Sequence, residues 1–427
     1  MPSLSDLDMQ QERVYLNAPL DGVIMVKGPP GSGKTIMAFY RSMILSEKDT
    51  SVSILMYNNV LSQYIASTDT GEERDAGGSV KVCTQAKWSY SWWRSAYGFR
   101  AKPPLEEGPG WRPVDWAQVA KFVIAEKSSS SVENLHWGHL VIDEGQDFYK
   151  GFYEALNFMR MRPWPGDAPG LTIFADDNQQ LNEDHNSTTR EVIDALGLRG
   201  NKERCYELTK NYRNTQEIYG LAKYYRIFRM QADDPDRTGE QPEVRLLGDR
   251  ADSIATITRL CKRNRGKEIG IVIPNNKKMV RQYHKELAKA LESEGFTVQA
   301  YNSGSKVLTA ESLEFDESST VTVLNMASVK GLEFDVVFAA EMQSMDVSDD
   351  RLEAACKNLY VLCSRARENL FLCFTLDGED ADYEGSAPPS LGLIPPENKN
   401  LCRYLPKERW DKLSPHVKAL SVPRHVD

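Results

Sequence analysis

Long apolar runs are missing from this 427-residue sequence. None approaches the roughly 20 residues that a helix needs to span a bilayer. The opening residues, MPSLSDLDMQQER, also lack the apolar core of a signal peptide. The seven cysteines contain no CxxC pair and the six histidines form no cluster, so neither a redox site nor a structural zinc site is indicated. We therefore expect a cytoplasmic protein with reduced cysteines and no membrane partner.

An excess of basic residues is missing too. Lysine and arginine number 52 against 61 acidic residues, which gives a formal net charge of -9. A uniformly basic surface, the usual signature of general nucleic-acid binding, is thereby excluded, and any such site must be a local groove. Hydrophobic residues at 41% and charged residues at 26% are typical of a globular protein. The length fits two lobes of roughly 150 to 200 residues each.

Short apolar runs bounded by polar, glycine or proline residues alternate with helical stretches in both halves. This pattern is typical of parallel strands buried on both faces. The first half has predicted strands at residues 23–26, 52–57, 140–142 and 171–174. The second half has them at 244–247, 269–273, 321–324, 336–339 and 370–374, with a predicted helix at 276–291.

We therefore predict an α/β fold of two P-loop-type lobes, each a parallel sheet with flanking helices. Residues 1–205 form the first lobe, which carries a small helical, Trp-rich insertion at about 89–137. Residues 206–378 form the second lobe. Residues 379–427 form a Pro-rich connector and a basic tail. Beyond the two similar lobes the sequence shows no internal repeat.

The segment GPPGSGKT follows the apolar run VIMV and precedes the helical stretch IMAFYRSMI. This is the context of a phosphate-binding P-loop, whose glycines let backbone N–H groups surround the phosphates at a helix N-terminus. Lys34 supplies a positive charge, and the Thr35 hydroxyl is a ligand for Mg²⁺. The predicted ATP-binding residues of this loop are Gly28, Pro29, Pro30, Gly31, Ser32, Gly33, Lys34 and Thr35.

The segment HLVIDEGQD places two acidic residues at the end of an apolar strand. Adjacent acids alone usually belong to a solvated loop, but the strand and the upstream P-loop favour a catalytic pair. Asp143 is predicted to hold Mg²⁺ through water, and Glu144 to polarise the attacking water. The expected cofactors are thus ATP and Mg²⁺.

Further segments resemble, in order, the motifs of the UvrD/Rep/PcrA branch of superfamily 1 DNA helicases. LDMQQ resembles the Q motif, DEGQD is close to the family's DEAQD, and FADDNQQ resembles motif III. LTKNYRNTQEI resembles motif IV, VKGLEFD motif V and LYVLCSRAREN motif VI. The set is specific, because several weak patterns in a fixed order are jointly far less probable than any one of them.

The resemblance implies roles for individual residues of the first lobe. Gln11 would read the adenine, and Gln146 would couple the nucleotide state to the nucleic acid. Gln179 would sense the γ-phosphate. Two RecA-like lobes with ATP between them are implied as well.

In the second lobe the resemblance implies that Tyr212 stacks on the adenine and that Arg213 reaches the γ-phosphate. Gly331 and Glu333 would lie close to the triphosphate and ribose. Arg365 would be the arginine finger that acts on the transferred phosphoryl group.

The resemblance also implies ATP-driven movement along single-stranded DNA in the 3′ to 5′ direction, with DNA favoured over RNA. The chain looks like a compact member without most accessory subdomains. The aromatic residue that follows motif III in relatives is missing from QQLNEDHNST. Candidate contacts to the single-stranded nucleic acid are Tyr57 and Asn58 of motif Ia, Thr84 of motif Ib, and Trp88. For the neighbouring Trp92 and Trp93, packing inside the insertion is favoured over stacking on bases.

Other functions stay open at this point. The same fold could serve as a nucleic-acid-sensing switch for a partner protein, such as a nuclease in repair or phage defence, with little unwinding of its own. A P-loop ATPase without a nucleic-acid role is a weaker alternative. A basic run between Arg259 and Arg281 and the basic tail could contact phosphates or a partner, although a solvated face is the commoner explanation.

Overall fold

The computed structural model describes residues 6–48, 51–56, 80–110, 112–180, 186–274, 276–301, 313, 319–376 and 387–425. The chain divides into two compact units, Met1–Thr209 and Lys210–Asp427. Tyr57 and Asn58 lie outside the described residues. Across the described part of the chain, no helix is both long and apolar enough to cross a bilayer.

The first unit is built on a parallel sheet. Its described strands are hydrogen-bonded in the order β3-β2-β4-β5-β1-β6. Every residue of β4 and β5 is buried, as expected for strands covered on both faces. The strands are β1 (Val23–Lys27), β2 (Val52–Met56), β3 (Val80–Thr84), β4 (His139–Ile142), β5 (Gly170–Ala175) and β6 (Cys205–Glu207).

Helices cover both faces of this sheet. The first, α1, is followed directly by a single π-helical turn at Arg13–Asn17. The described helices are α1 (Met9–Glu12), α2 (Lys34–Ser46), α3 (Gln85–Tyr97), α4 (Trp116–Ala125), α5 (Ser129–Leu135), α6 (Lys150–Arg160) and α7 (Thr189–Ala195). Helices α3, α4 and α5 occupy the segment predicted as an insertion.

The tryptophans of that segment do not form a separate core. Trp92 and Trp93 belong to one buried cluster that includes Leu140 of β4 and Leu171 of β5. The indole N–H of Trp92 donates to the carbonyl of Leu135 at 3.0 Å, so its one polar group is satisfied inside the cluster. The preference for packing over base stacking holds for these two residues, but the core they fill is that of the sheet itself.

The second unit contains another parallel sheet. Its described strands follow the order β13-β7-β12-β11-β8-β10-β9. They are β7 (Glu243–Leu247), β8 (Ile269–Ile273), β9 (Thr297–Tyr301), β10 (Thr320–Asn325), β11 (Phe334–Ala339), β12 (Ala366–Thr375) and β13 (Arg403–Leu405). Its described helices are α8 (Gln216–Tyr224), α9 (Arg250–Arg263), α10 (Lys277–Leu291), α11 (Leu352–Cys363) and α12 (Lys407–Leu413).

The predicted fold class is confirmed, since both units are parallel sheets with flanking helices, as in RecA-like lobes. Strand β13 is an addition that the sequence did not indicate, because it lies in the segment predicted as a connector and tail. It pairs with β7 from Arg403 to Leu405, and Tyr404 stacks on Trp410 with ring centroids 4.1 Å apart.

The two sheets share a stretch of strand order. In the first unit β4, β5, β1 and β6 are consecutive neighbours, and in the second unit β11, β12, β7 and β13 are. The strand before the P-loop, β1, therefore corresponds to β7. The strand before the acidic pair, β4, corresponds to β11.

Candidate nucleotide site

The P-loop is the six-residue connection between β1 and α2. Its last residue, Gly33, has a φ of +82°, and a Cβ there would lie 2.7 Å from Nε2 of Gln11. The left-handed backbone conformation therefore favours glycine at this position. The loop ends at the N-terminus of α2, where backbone N–H groups have no partner within the helix and can bind an anion.

Lys34 is the first residue of α2 and is only 6% exposed. Its ammonium group donates to the carbonyls of Gly28 at 2.8 Å and Pro29 at 2.9 Å. The charge therefore lies over the loop itself. A phosphate bound by the loop would find this donor already in place.

Thr35 and Asp143 meet directly. The Thr35 hydroxyl donates to Oδ2 of Asp143 at 2.7 Å, and Asp143 follows the last residue of β4. Oδ1 of the same carboxyl group is buried without a hydrogen-bond partner in the described part of the chain. A hydroxyl beside a carboxylate with a spare oxygen is a donor set that fits Mg²⁺.

Burial, and next the charge of Glu144, raise the pKa of Asp143 to about 6. Burial likewise raises the pKa of Asp176, which follows β5, while Lys34 acts to lower it. One buried lysine thus faces three buried carboxyl groups at neighbouring strand ends. The resulting excess of negative charge is what a divalent cation offsets.

Hydrogen bonds join the acidic pair to the end of the next strand. Gln146 donates from Nε2 to Glu144 Oε2 at 2.6 Å and accepts from the backbone N–H of Asp176 at 2.9 Å. Gln179 then donates to Asp176 Oδ2 at 2.8 Å. The sequence predicted Glu144, Gln146 and Gln179 separately. Asp176, which links them, was missed as a site residue although motif III contains an aspartate at that position.

Glu144 has a φ of +53°, which is uncommon for a residue with a side chain. It begins a 3-10 turn at Gly145–Asp147. Strained backbone of this kind persists where surrounding contacts hold it and is frequent at functional sites. Here the bond from Gln146 is one of those contacts.

Gln11 is tied to the P-loop from the side of α1. Asp8 caps α1 and shares a capping box with Gln11, and Gln11 Nε2 donates to the carbonyl of Ser32 at 3.1 Å. The neighbouring Gln10, which sequence reasoning did not single out, exchanges hydrogen bonds with Thr209.

Arg41 fixes the other end of the same segment. It is fully buried on α2 and donates to the carbonyls of Ala18 at 2.8 Å and of Pro19. Burial lowers the pKa of this guanidinium to about 10. Nothing in the sequence pattern marked Arg41, because the carbonyls it caps become neighbours only in the fold.

In the second unit the motif IV, V and VI segments converge. The turn before α8 holds Arg213, whose Nε donates to Glu333 Oε2 at 2.7 Å and whose Nη1 donates to the Ser364 carbonyl at 3.2 Å. Asn214 donates to the carbonyl of Ala366 at 2.6 Å. These contacts bring the predicted Arg213, Glu333 and the segment beside Arg365 into one cluster at the amino ends of β11 and β12.

Glu333 is held by two arginines. Burial by itself would raise its pKa, but Arg213 and Arg367 lower it to about 2. Its side chain remains 39% exposed. Gly331, two residues earlier, has a φ of +83°, so the motif V glycine serves a left-handed turn.

Arg365 lies inward. It is 2% exposed, and its guanidinium donates to the Val361 carbonyl at 3.0 Å and to the Ser364 hydroxyl at 2.9 Å. Arg367 instead pairs with Asp335 at 3.2 Å and Glu268 at 3.3 Å. Tyr212 is 40% exposed, with the ammonium of Lys210 5.1 Å from its ring centroid.

Comparison with known proteins finds helicases among the solved structures. One is the C-terminal domain of a possible DNA helicase from Lactobacillus plantarum, 21% identical with a TM-score of 0.29, covering 45% of this chain and 98% of that domain. Another is arterivirus nonstructural protein 10, a helicase, 14% identical with a TM-score of 0.36, covering 85% of this chain and 61% of that protein. The chain thus spans less than two thirds of the arterivirus helicase. Both TM-scores are low, and neither likeness by itself supports a statement on this chain.

No family model matches the chain, and no curated protein does either. The structural neighbours named above are helicases, while the UvrD-like branch in particular rests on the sequence motifs.

Trp88 requires a correction. It is 6% exposed, its ring stacks on Trp92 at 5.2 Å between centroids, and Trp116 lies 6.1 Å away with nearly parallel planes. A ring with this packing offers no free face to a base, so the predicted strand contact is wrong for Trp88. Thr84 caps α3 by accepting from the Lys87 N–H at 3.4 Å.

The turn that begins at Glu144 in the first unit has a counterpart in the second unit. Glu341 follows β11 with a φ of +59° and begins a 3-10 turn at Met342–Ser344. Gln343 donates to Glu341 Oε2 at 2.6 Å and accepts from the Thr375 N–H at 2.9 Å, as Gln146 does with Glu144 and Asp176. Ala340 stands where the first unit has Asp143.

The surroundings of this second copy differ. Tyr283 of α10 donates to Glu341 Oε1 at 2.6 Å, and Ser253 of α9 lies 3.0 Å from the same tyrosine hydroxyl. The connection from β7 to α9 is only Gly248 and Asp249, in place of the longer P-loop. The second copy therefore keeps the backbone turn and lacks counterparts of Asp143 and of the six-residue loop.

Proposed function

We propose that this chain is an ATP-dependent nucleic-acid translocase or helicase of the UvrD-like superfamily 1 type, moving 3′ to 5′ along single-stranded DNA. The observation that carries the proposal is the hydrogen-bonded series from Glu144 through Gln146 and Asp176 to Gln179, next to the pair Thr35 and Asp143. These contacts join a P-loop, an acidic pair and a third strand end in one buried cluster.

Each side chain has a chemical task in this proposal. The P-loop N–H groups and Lys34 hold the β- and γ-phosphates. Thr35 and Asp143 hold Mg²⁺, which neutralises charge on the phosphates when it is bound. Glu144 orients and polarises the attacking water, since its carboxylate is fixed by Gln146 and remains an acceptor.

The second unit supplies positive charge to the same reaction. Arg213 and Arg365 act on the charge that develops on the transferred phosphoryl group. Glu333 orients Arg213 through the 2.7 Å contact. Val361 and Ser364 hold the guanidinium of Arg365 in the structure, and in this proposal Arg365 is the arginine finger.

Gln146 connects nucleotide state with the nucleic acid. Its two hydrogen bonds make the position of Glu144 depend on the end of β5, where Gln179 lies. A nucleic-acid strand bound nearby would shift the end of β5 and so change the rate of ATP hydrolysis.

A second function is supported by the burial of Trp88. Without base stacking by Trp88 and without the aromatic residue after motif III, the chain would bind nucleic acid weakly. The chain would then act as a nucleic-acid-sensing ATPase that signals to a protein partner such as a nuclease.

The test is ATP hydrolysis by the full chain with and without single-stranded DNA, using single-stranded RNA of the same length in parallel. Strong stimulation by DNA supports both functions, and absence of stimulation by either polymer would contradict both. Translocation measured on a labelled single strand, from each end in turn, then separates a motor from a switch and gives the direction.

A further inference from the structure

Helix α9 carries an exposed stripe that the nucleotide chemistry does not use. Residues 251, 254 and 255 begin it, and 259, 262 and 263 continue it along the same face at helical spacing. With residues of α10, this stripe lines an open groove of about 860 Å³ on the second unit. The 14 residues of α9 give the groove a length of roughly 20 Å.

The groove is apolar at one end and basic at the other. Ala251, Ile254 and Ala255 line the part beside the N-terminal half of α9. Small side chains of this kind let another helix approach to the usual 8 to 10 Å between axes. The apolar end therefore leaves room for a helix to pack closely against α9.

The basic end has an excess of positive charge. Arg259, Lys262 and Arg263 lie on α9 and Lys289 on α10, against one lining acid, Glu286. Lys262 pairs with Glu294 at 2.7 Å. Within the described residues no ion-pair partner is found for the other three cations. On a chain of net charge -9, this local excess of positive charge attracts acidic groups.

We propose that this groove binds an acidic amphipathic helix of a partner protein. The partner helix places small apolar side chains against Ala251 and Ala255 and carboxylates against Arg259 and Arg263. Such binding is the helix-in-groove mode, in which anchors recur every three or four residues. The proposal concerns a partner site and does not depend on ATP hydrolysis.

A protein helix fits the groove better than a nucleic-acid strand does. The apolar end offers neither a cation for a phosphate nor an aromatic ring for a base. Glu286 would repel a phosphate backbone that followed the full length of the groove. A helix can instead set a basic residue opposite Glu286 and acids beyond it.

Two synthetic helical peptides of about four turns test the proposal. Both carry apolar residues at positions i, i+3 and i+4 in one half and glutamates on the same face in the other half. The acidic half is N-terminal in one peptide and C-terminal in the other, so that both helix directions are tried. Binding of each labelled peptide to the full chain without nucleotide is measured by fluorescence anisotropy, with a scrambled peptide of equal composition alongside.

We expect one direction to bind and the scrambled peptide not to bind. Arg259→Glu with Arg263→Glu should weaken binding about tenfold or more, and added salt should weaken it too. Ala255→Arg should do the same by filling the apolar end, at little cost to an exposed helical position.

The matched control is Lys278→Glu with Arg281→Glu, which makes the same charge change on α10 outside the groove. It should alter binding by about twofold at most. Circular dichroism and an unchanged melting temperature verify that each variant is folded.

Three results overturn the proposal. They are failure of both peptides to bind, binding that is unaffected by both groove changes, and displacement of the bound peptide by single-stranded oligo-dT whose own binding is lost in the same variants. The last result would assign the groove to nucleic acid.

Discussion

Gln146 donates a hydrogen bond to Glu144 over 2.6 Å, and Gln343 donates to Glu341 over the same distance at the corresponding strand end of the other unit. The two amides hold two glutamates in the same left-handed backbone conformation. Only the first glutamate has an acid, Asp143, directly before it; the second has Ala340. The pair therefore offers a substitution experiment with its own internal control.

Gln146→Leu removes both hydrogen bonds while keeping the size of the side chain. We expect the stimulation of ATP hydrolysis by single-stranded DNA to fall by about tenfold, because Glu144 is no longer linked to the end of β5. Gln343→Leu makes the same change in the second unit and should leave the stimulation intact. Equal loss in both variants would show a general effect on folding, which thermal melting would reveal.

Lys34→Ala should abolish measurable hydrolysis and weaken nucleotide binding. The backbone cradle remains, but the charge that holds the β- and γ-phosphates is removed. Lys202→Ala, an exposed lysine in the same unit, is the matched control and should hydrolyse ATP normally. Normal turnover by Lys34→Ala would remove the P-loop from the mechanism.

Glu144→Gln should keep Mg·ATP binding and slow hydrolysis by about 10² or more. The amide can still accept the bond from Gln146 but cannot polarise water as a carboxylate does. Single-turnover hydrolysis and equilibrium nucleotide binding, measured side by side, separate the two effects. If Asp143→Asn instead keeps binding while Glu144→Gln loses it, the two acids have exchanged roles.

Arg365→Ala should lower turnover by about 10³, with a smaller effect on nucleotide affinity, because an arginine finger acts on the transition state. The change also leaves the carbonyl of Val361 without this donor, so a lower melting temperature is expected as well. Arg281→Ala, at an exposed position of the same unit, should change neither quantity. Normal turnover by Arg365→Ala would contradict this role and make Arg367 the candidate arginine finger.

Glu333 gives a pH dependence with a defined sign. Arg213 and Arg367 hold its folded pKa at about 2, below the ordinary 4.5. Its contribution to stability is therefore fully present above pH 4.5 and disappears as pH falls towards 2. Urea unfolding of wild type and Glu333→Gln between about pH 3 and 7 should show a stability difference that shrinks on acidification. A difference that grows on acidification would contradict this account.

The sequence predicted those features that rest on local patterns. Apolar runs located the central strands, and the P-loop and acidic pair were readable because backbone turns and charges at strand ends require particular residue types. The neighbouring contacts were not readable in the same way. Arg41 contacts backbone carbonyls, and Asp176 contacts the side-chain amides of Gln146 and Gln179, and in both cases the partners are brought together only by the fold.

Two errors have a physical origin as well. Trp88 was assigned to the nucleic acid because a tryptophan serves equally well in a core and on a stacking surface, and sequence alone does not record which face is covered. Strand β13 was missed because three residues are too few to show an alternation of apolar and polar positions. In both places the outcome was decided by long-range packing.

The repeated turn at Glu341 has a consequence for engineering. Both parallel sheets carry the same left-handed glutamate held by a glutamine amide, but only the first unit has the six-residue loop. Ala340→Asp would place an acid beside Glu341 without creating a nucleotide site, because the two-residue connection Gly248–Asp249 cannot surround a phosphate and Tyr283 already holds the glutamate. The length of the loop, more than the missing acid, therefore separates the two units, and a single substitution cannot supply it.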